Sequence, residues 1–143
     1  MAGFSNSAET GILKLLFQAV AWSLIADNAV VTPQTNVAMS LHTADPGDTG
    51  TGTTSEATYT SYARVNVART TGGWTEASGA VTPVAAITFP AATGGSSTVT
   101  HCAAGMTGGG ATVLHMVGTV TPNIAVSNPI QPILSTSTSF SLD

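Results

Sequence analysis

The chain has 143 residues, 43% of them hydrophobic and only 7% charged, with three basic residues and a formal net charge of −4. The length suits one domain with one core. The shortage of Lys and Arg excludes a patch able to neutralise several phosphates, and with it nucleic-acid binding and adhesion to an anionic membrane.

Asn6 and Glu9 have the spacing of a helix N-cap and its third helical residue, and Glu9 suits the positive end of a helix dipole. Ile12, Leu16, Ala19 and Val20 then form an apolar stripe, widened by Leu13, Phe17 and Leu24. A helix is expected from about Ser7 to Ala21. Its wide apolar arc calls for cover on more than one side. The apolar stretch Ile12 to Ala26, broken by Lys14, Gln18 and Ser23, is short for a membrane span of about 20 residues. The N-terminus has no signal-peptide pattern, so synthesis in a cytoplasm without export is expected. Ala29-Val30-Val31 reads as a short strand.

Val37, Met39 and Leu41 alternate with Ala38, Ser40 and His42, the pattern of a half-buried strand. Ala44-Asp45-Pro46-Gly47 then forms a turn, with Pro46 setting φ and Gly47 taking the positive φ of type II. A long surface loop rich in Gly and Thr follows to Thr60. Ala63, Val65 and Val67 open a second strand that carries Arg64 and Arg69. Thr71-Gly72-Gly73 is a hairpin-type turn after which Trp74 starts the return. Ser78-Gly79 is a turn or bulge signal, and Pro83 interrupts the strands on either side of it. Thr98 to Ala103 and Ala111 to Val120 are strands joined across a Gly-rich loop. The second is apolar on both faces and is expected to be central. Short strands follow at Ile124, Ile130 and Thr138. The total, about eight to ten strands at roughly 8–12-residue spacing, is the pattern of a mainly β sandwich or barrel. The organisation expected is a single domain, 1–143, with an N-terminal helical segment (1–30) and an antiparallel β-sandwich (31–143).

No catalytic or cofactor-binding motif stands out. His42, His101 and His115 lack metal-ligand spacing and read as satisfied sheet residues. Cys102 is a lone thiol without an internal disulfide partner, and His101 beside it points to the opposite face of the strand. Asp45 and Asp48 could hold a hard cation, but calcium takes six to eight oxygens and Asp also favours turn starts. Trp74 reads as a core or interface anchor. No enzyme activity, metal or cofactor is expected. An ordinary soluble domain carries roughly 25% charged residues. Their replacement here by Thr, Ser, Gly and Ala points to a surface covered by identical copies or a larger assembly.

The segments Met1-Ala2-Gly3-Phe4-Ser5-Asn6, Leu41-His42-Thr43-Ala44-Asp45-Pro46-Gly47-Asp48-Thr49-Gly50, Tyr62-Ala63-Arg64-Val65, Phe89-Pro90-Ala91-Ala92 and Thr98-Val99-Thr100-His101 resemble a family of small tailed-phage virion proteins. These proteins are often labelled tail fibre proteins, and similar small jelly-roll proteins act as capsid decoration, or cement, proteins. The pattern departs from that family between Cys102 and Met116. The resemblance implies a jelly-roll-like β-sandwich preceded by one helix. It also implies a virion location on the capsid surface, after synthesis in the host bacterial cytoplasm. The implied role is to tie the head lattice together without catalysis, as a dimer or trimer bound to the major capsid protein. A tail component or fibre-attachment module, binding a tail protein or host glycan, is the alternative. The expected contacts are Phe4, Ile12 and Leu16 on the helical segment, Asp45, Pro46, Gly47 and Asp48 on the turn, and Trp74.

Overall fold

Alternation of apolar and small residues after Asn36 drives the chain into a strand, and the longest sheet is assembled around it. A computed structural model describes residues 6–21, 34–106 and 113–142. Among these residues, helix α1 (Asn6–Gln18) precedes the strands β1 (Asn36–His42), β2 (Val65–Ala68), β3 (Trp74–Ala77), β4 (Ala80–Pro83), β5 (Ile87–Thr88), β6 (Ser96–Met106), β7 (Val113–Ser127), β8 (Ile133–Leu134) and β9 (Phe140–Ser141). The pairings β1–β6, β3–β4, β4–β9, β5–β8 and β6–β7 are antiparallel. The fold is therefore mainly β and antiparallel with one N-terminal helix, as the strand pattern predicts. Phe4 and the strand expected at Ala29–Val31 lie outside the described residues.

The chain forms two compact units. One comprises Asn36–Val67 and Ile87–Leu134; the other comprises Met1–Thr35, Ala68–Ala86 and Ser135–Asp143. The first contains a four-stranded sheet in the order β2-β1-β6-β7 and the two-stranded sheet β5-β8. β1 is not half-buried as its alternation suggests. Val37, Met39 and Leu41 are covered on one face, and Ala38, Ser40 and His42 on the other. A strand covered on both sides is a middle layer, the packing of a sandwich-like arrangement.

β7 departs further from expectation. Apolar residues on both of its faces suggest a central strand, yet it lies at the edge of the sheet and pairs with β6 alone among the described residues. Its side chains alternate between half-buried and exposed from Leu114 to Thr119. Burial on both faces belongs instead to Cys102, Ala103 and Ala104 of β6, which small side chains make possible.

In the other unit, α1 packs against the β3–β4 hairpin. Ser78 (φ 54°) and Gly79 (φ 76°) form the two-residue loop between paired Ala77 and Ala80, with both central residues at positive φ as a type I′ turn requires. The Thr71-Gly72-Gly73 turn does not fold β2 back onto β3, because β3 pairs with β4 and β9 completes that sheet. The buried line of α1 is Leu13 and Phe17. Ile12 and Leu16 are only half-buried, and Val20 is exposed. Two apolar lines of equal spacing run along this helix, and only the one that meets Trp74 is sealed. Trp74 is wholly buried. Its ring meets Phe17 edge-on at 4.7 Å, and Phe17 stacks on Phe140 at 5.9 Å. Of its two expected roles, core and interface anchor, Trp74 takes the first. Glu76, its side chain 5% exposed, accepts hydrogen bonds from the Thr10 hydroxyl (3.0 Å) and the Gly79 amide (3.3 Å) and pairs with Lys14 at 3.5 Å. These contacts hold helix to hairpin.

α1 ends earlier than expected, at Gln18, because Ala19 turns to φ 57°, the left-handed position that more often holds glycine. Its last carbonyls are taken by Arg69. The guanidinium donates to Leu16 O at 2.5 Å, to Leu15 O, and to Gln34 O at 3.1 Å, while the Arg69 amide donates to Thr35 O at 2.9 Å. Burial lowers the pKa of this guanidinium, but three carbonyls and the negative end of the helix dipole satisfy its charge. Arg69→Met keeps the apolar stem and orphans the carbonyls. It is expected to cost about 3 kcal/mol, since hydrogen bonds to charged groups each contribute about 1.5–3 kcal/mol. Urea unfolding followed by tryptophan fluorescence measures the loss, and Arg69→Lys should recover only part of it.

Candidate functional site

The sequence pattern predicts a long surface loop from Asp48 to Thr60. It is instead folded back onto β1. The Thr43 amide donates to Ser55 O and the Ala57 amide to Leu41 O, both at 2.8 Å, around a bridge between His42 and Glu56. Ala57 and Tyr59 are buried. Tyr59 donates to Pro90 O at 3.0 Å and meets Tyr62 edge-on, and Tyr62 stacks on Phe89. A carboxylate lies at the centre of the return. Glu56 accepts a forked pair of bonds from Arg64 (2.6 and 2.9 Å) and a third from the Tyr62 hydroxyl (3.0 Å), which itself accepts the Leu41 amide at 3.0 Å. The two-pronged geometry makes this a strong pair despite partial exposure. Burial pushes the Tyr62 phenol well above its ordinary pKa, so it stays a donor.

Under the loop lies a second polar pair. His42 Nδ1 is 2.8 Å from Thr54 O, and its Nε2 is 2.7 Å from Ser40 Oγ. A carbonyl only accepts, so Nδ1 carries the proton and Nε2 accepts from the serine hydroxyl. A serine bonded to a neutral imidazole has the outline of an activated nucleophile. Both residues, however, are 0% exposed, and their bonds tie the loop to β1. Cys102 is likewise buried, which pushes its thiol up to about 11. A thiol with so little thiolate is inert at neutral pH.

The turn shapes the rim of a cleft. Gly47 has φ 71° as expected, and its amide donates to Asp45 Oδ1 at 2.9 Å, the local bond that makes Asp a turn former. Pro46 is buried, whereas Asp45, Gly47 and Asp48 are exposed. The turn faces His101 of β6 and Leu114, His115, Val117, Gly118 and Thr119 of β7 across a cleft of about 410 Å³. Pairing of His101 with Thr119 and of Ala103 with Val117 puts His101, Val117 and Thr119 on one face of the sheet, the floor of this cleft. Asp45, Asp48, His101 and His115 thus come into one cleft, although no three His, Cys, Asp or Glu residues among those described are grouped to hold a metal ion. The arrangement can offer shape and hydrogen-bonding groups to another surface. Ile12, Leu16 and Trp74 belong to the other unit. Of the residues not anticipated, Ser40 and His42 share a strand face at i, i+2 spacing and could have been paired from the sequence. Glu56 and Arg64 carry no comparable signal.

A family model described as podophage GP4 fiber I protein gp80 matches residues 3–130. The chain belongs to this family. It is a phage virion protein of the fibre-related structural type, as the resemblance of its turn and strand motifs implies. No curated protein matches the chain.

Two consequences follow for the loop. Burial lowers the pKa of His42 below its ordinary 6.5, outweighing the Thr54 carbonyl and Glu56, which raise it. The unfolded chain therefore takes up this proton first. The stability that neutral His42 contributes is complete above about pH 6.5 and is lost as pH falls towards the folded-state pKa. Denaturation midpoints should drop over that acid window, and His42→Gln should flatten this part of the profile. The second consequence concerns Gly50, where a Cβ would lie 2.2 Å from Pro46 O. Gly50→Ala must push the turn backbone aside and is expected to cost about 1–3 kcal/mol, as overpacking does, in the same unfolding measurement.

Proposed function

We propose that this protein is a structural subunit of a podophage fibre that works by packing against its neighbours, without catalysis. The family match over residues 3–130 carries the reading, because the family is described as a fibre protein. The site supports it. The two arrangements that look like nucleophile chemistry, Ser40–His42 and Cys102, are sealed inside the fold, beyond the reach of a substrate. The exposed cleft offers a contact surface and no grouped metal ligands among the described residues.

Head decoration is the second reading, with the major capsid protein as partner and a dimer or trimer as the working unit. The observation favouring it is the charge-poor surface, which suits a lattice where repeated weak contacts add up through avidity. Quantitative gels of purified virions, with antibody labelling in the electron microscope, separate the two. A fibre subunit should be present in tens of copies or fewer and label the tail region. Hundreds of copies on tail-less heads would overturn the fibre reading in favour of decoration.

A further inference from the structure

We infer that the edge of β7 is the surface through which two copies of this chain pair, strand to strand and antiparallel, centred on Val117. The edge of a sheet offers a row of unpaired backbone donors and acceptors, and proteins that must stay monomeric blunt it with charge, proline or bulges. From Val113 to Thr119, β7 carries no charged residue and no proline. Among the described residues its outer edge pairs with no strand. Val117 is 37% exposed, and Met116 is half-buried.

The occupant follows from the geometry of the run. Pairing with β6 is regular from Met116 to Thr119, and again from Ile124 to Ser127, with irregularities on both sides of the first run. On one side the register slips at His115, where Ala104 pairs with Met116 and Gly105 with Leu114. On the other side Val120 to Asn123 bulge out opposite Thr100. A run this short, closed by bulges at both ends, suits one discrete pair and not continued strand addition. In a two-fold antiparallel pair, residues directly opposite lie on the same face. Centring on Val117 sets it against its own copy and sets Met116 against Gly118 of the second copy. Gly118 has open space where a Cβ would stand, with nothing within 4 Å, so the long thioether has room to lie over it. A β-branched pair at the centre with a large residue beside an empty position is a favourable cross-strand arrangement. The strand is neutral, so it meets its own copy without repulsion, and it presents no charge with which to select a charged partner. The run is too short to reach the interface area of a permanent complex alone. The pair should therefore be reversible in solution and reinforced by repetition on the virion.

This deepens the assembly role proposed above, but it is measured on the purified protein, so the location of the protein on the particle does not decide it. Sedimentation over a concentration series should show a monomer–dimer equilibrium. Val117→Lys sets like charges directly opposite each other and should raise the dissociation constant about tenfold or more. Its thermal transition at low concentration should be unchanged, because the side chain is exposed. In an antiparallel pair the two Val117 Cα atoms lie about 4.5–5.5 Å apart, within disulfide range. Val117→Cys should therefore form a disulfide-linked dimer under mild oxidation, and Thr136→Cys should not. A monomer at every concentration would overturn the proposal, as would a dimer that tolerates Val117→Lys. Either result would leave the fibre assignment standing.

Discussion

A strand buried on both faces cannot carry Ser40 and His42 unless something returns to satisfy them. Leaving a buried polar group unpaired costs about 1–3 kcal/mol, so β1 requires the loop as much as the loop requires β1. The Ser40–His42–Thr54 chain of bonds meets this need from one side. Glu56, gripped by Arg64 and Tyr62, fixes the return from the other. The position of the Asp45–Gly50 turn over β6 and β7 follows from that closure. The cleft is thus a by-product of burying polar residues in the middle layer.

The same economy governs charge. The chain has three cations, and each is engaged internally. Arg64 forks onto Glu56, Arg69 closes the end of α1, and Lys14 reaches Glu76. Arginine serves the first two sites because its planar fork fits a carboxylate or several carbonyls at once, which an ammonium group does not. With its cations spent on holding loop and helix, the protein has none left for a basic patch. The surface falls to Thr, Ser and small residues, which suits packing against neighbours of similar character.

Local chemistry was legible in the sequence. The Ala44–Gly47 turn, the Ser78-Gly79 loop and the helix after Asn6 depend on residues within a few positions of one another. Features that depend on distant partners were not legible. β7 reads as a central strand because Val113, Leu114, Met116 and Val117 are apolar on both faces, but strand order is a property of the whole sheet. Among the described residues no strand pairs with the outer edge of β7, and Val117 is left partly exposed. The choice between the Ile12–Leu16 line and the Leu13–Phe17 line of α1 was equally hidden, since it turns on where Trp74 arrives. The partners of His42 and Arg69 are backbone carbonyls, which leave no trace in side-chain identity.

An apolar edge is a liability in a crowded cell and an asset in an assembly, and the balance between the two is set by what surrounds it. Asp45 and Asp48 stand exposed across the cleft from β7, in a chain of net charge −4. At physiological salt their field is largely screened beyond about 8 Å. Two copies therefore barely feel one another's charge at a distance, and any repulsion between these carboxylates acts only at close range. The bulges at His115 and at Val120–Asn123 supply the rest of the control, because they interrupt the straight run before it can template an open-ended sheet. Weak net repulsion, a short neutral edge and bulged ends together favour pairing where copies are already held side by side, and disfavour aggregation where they are not.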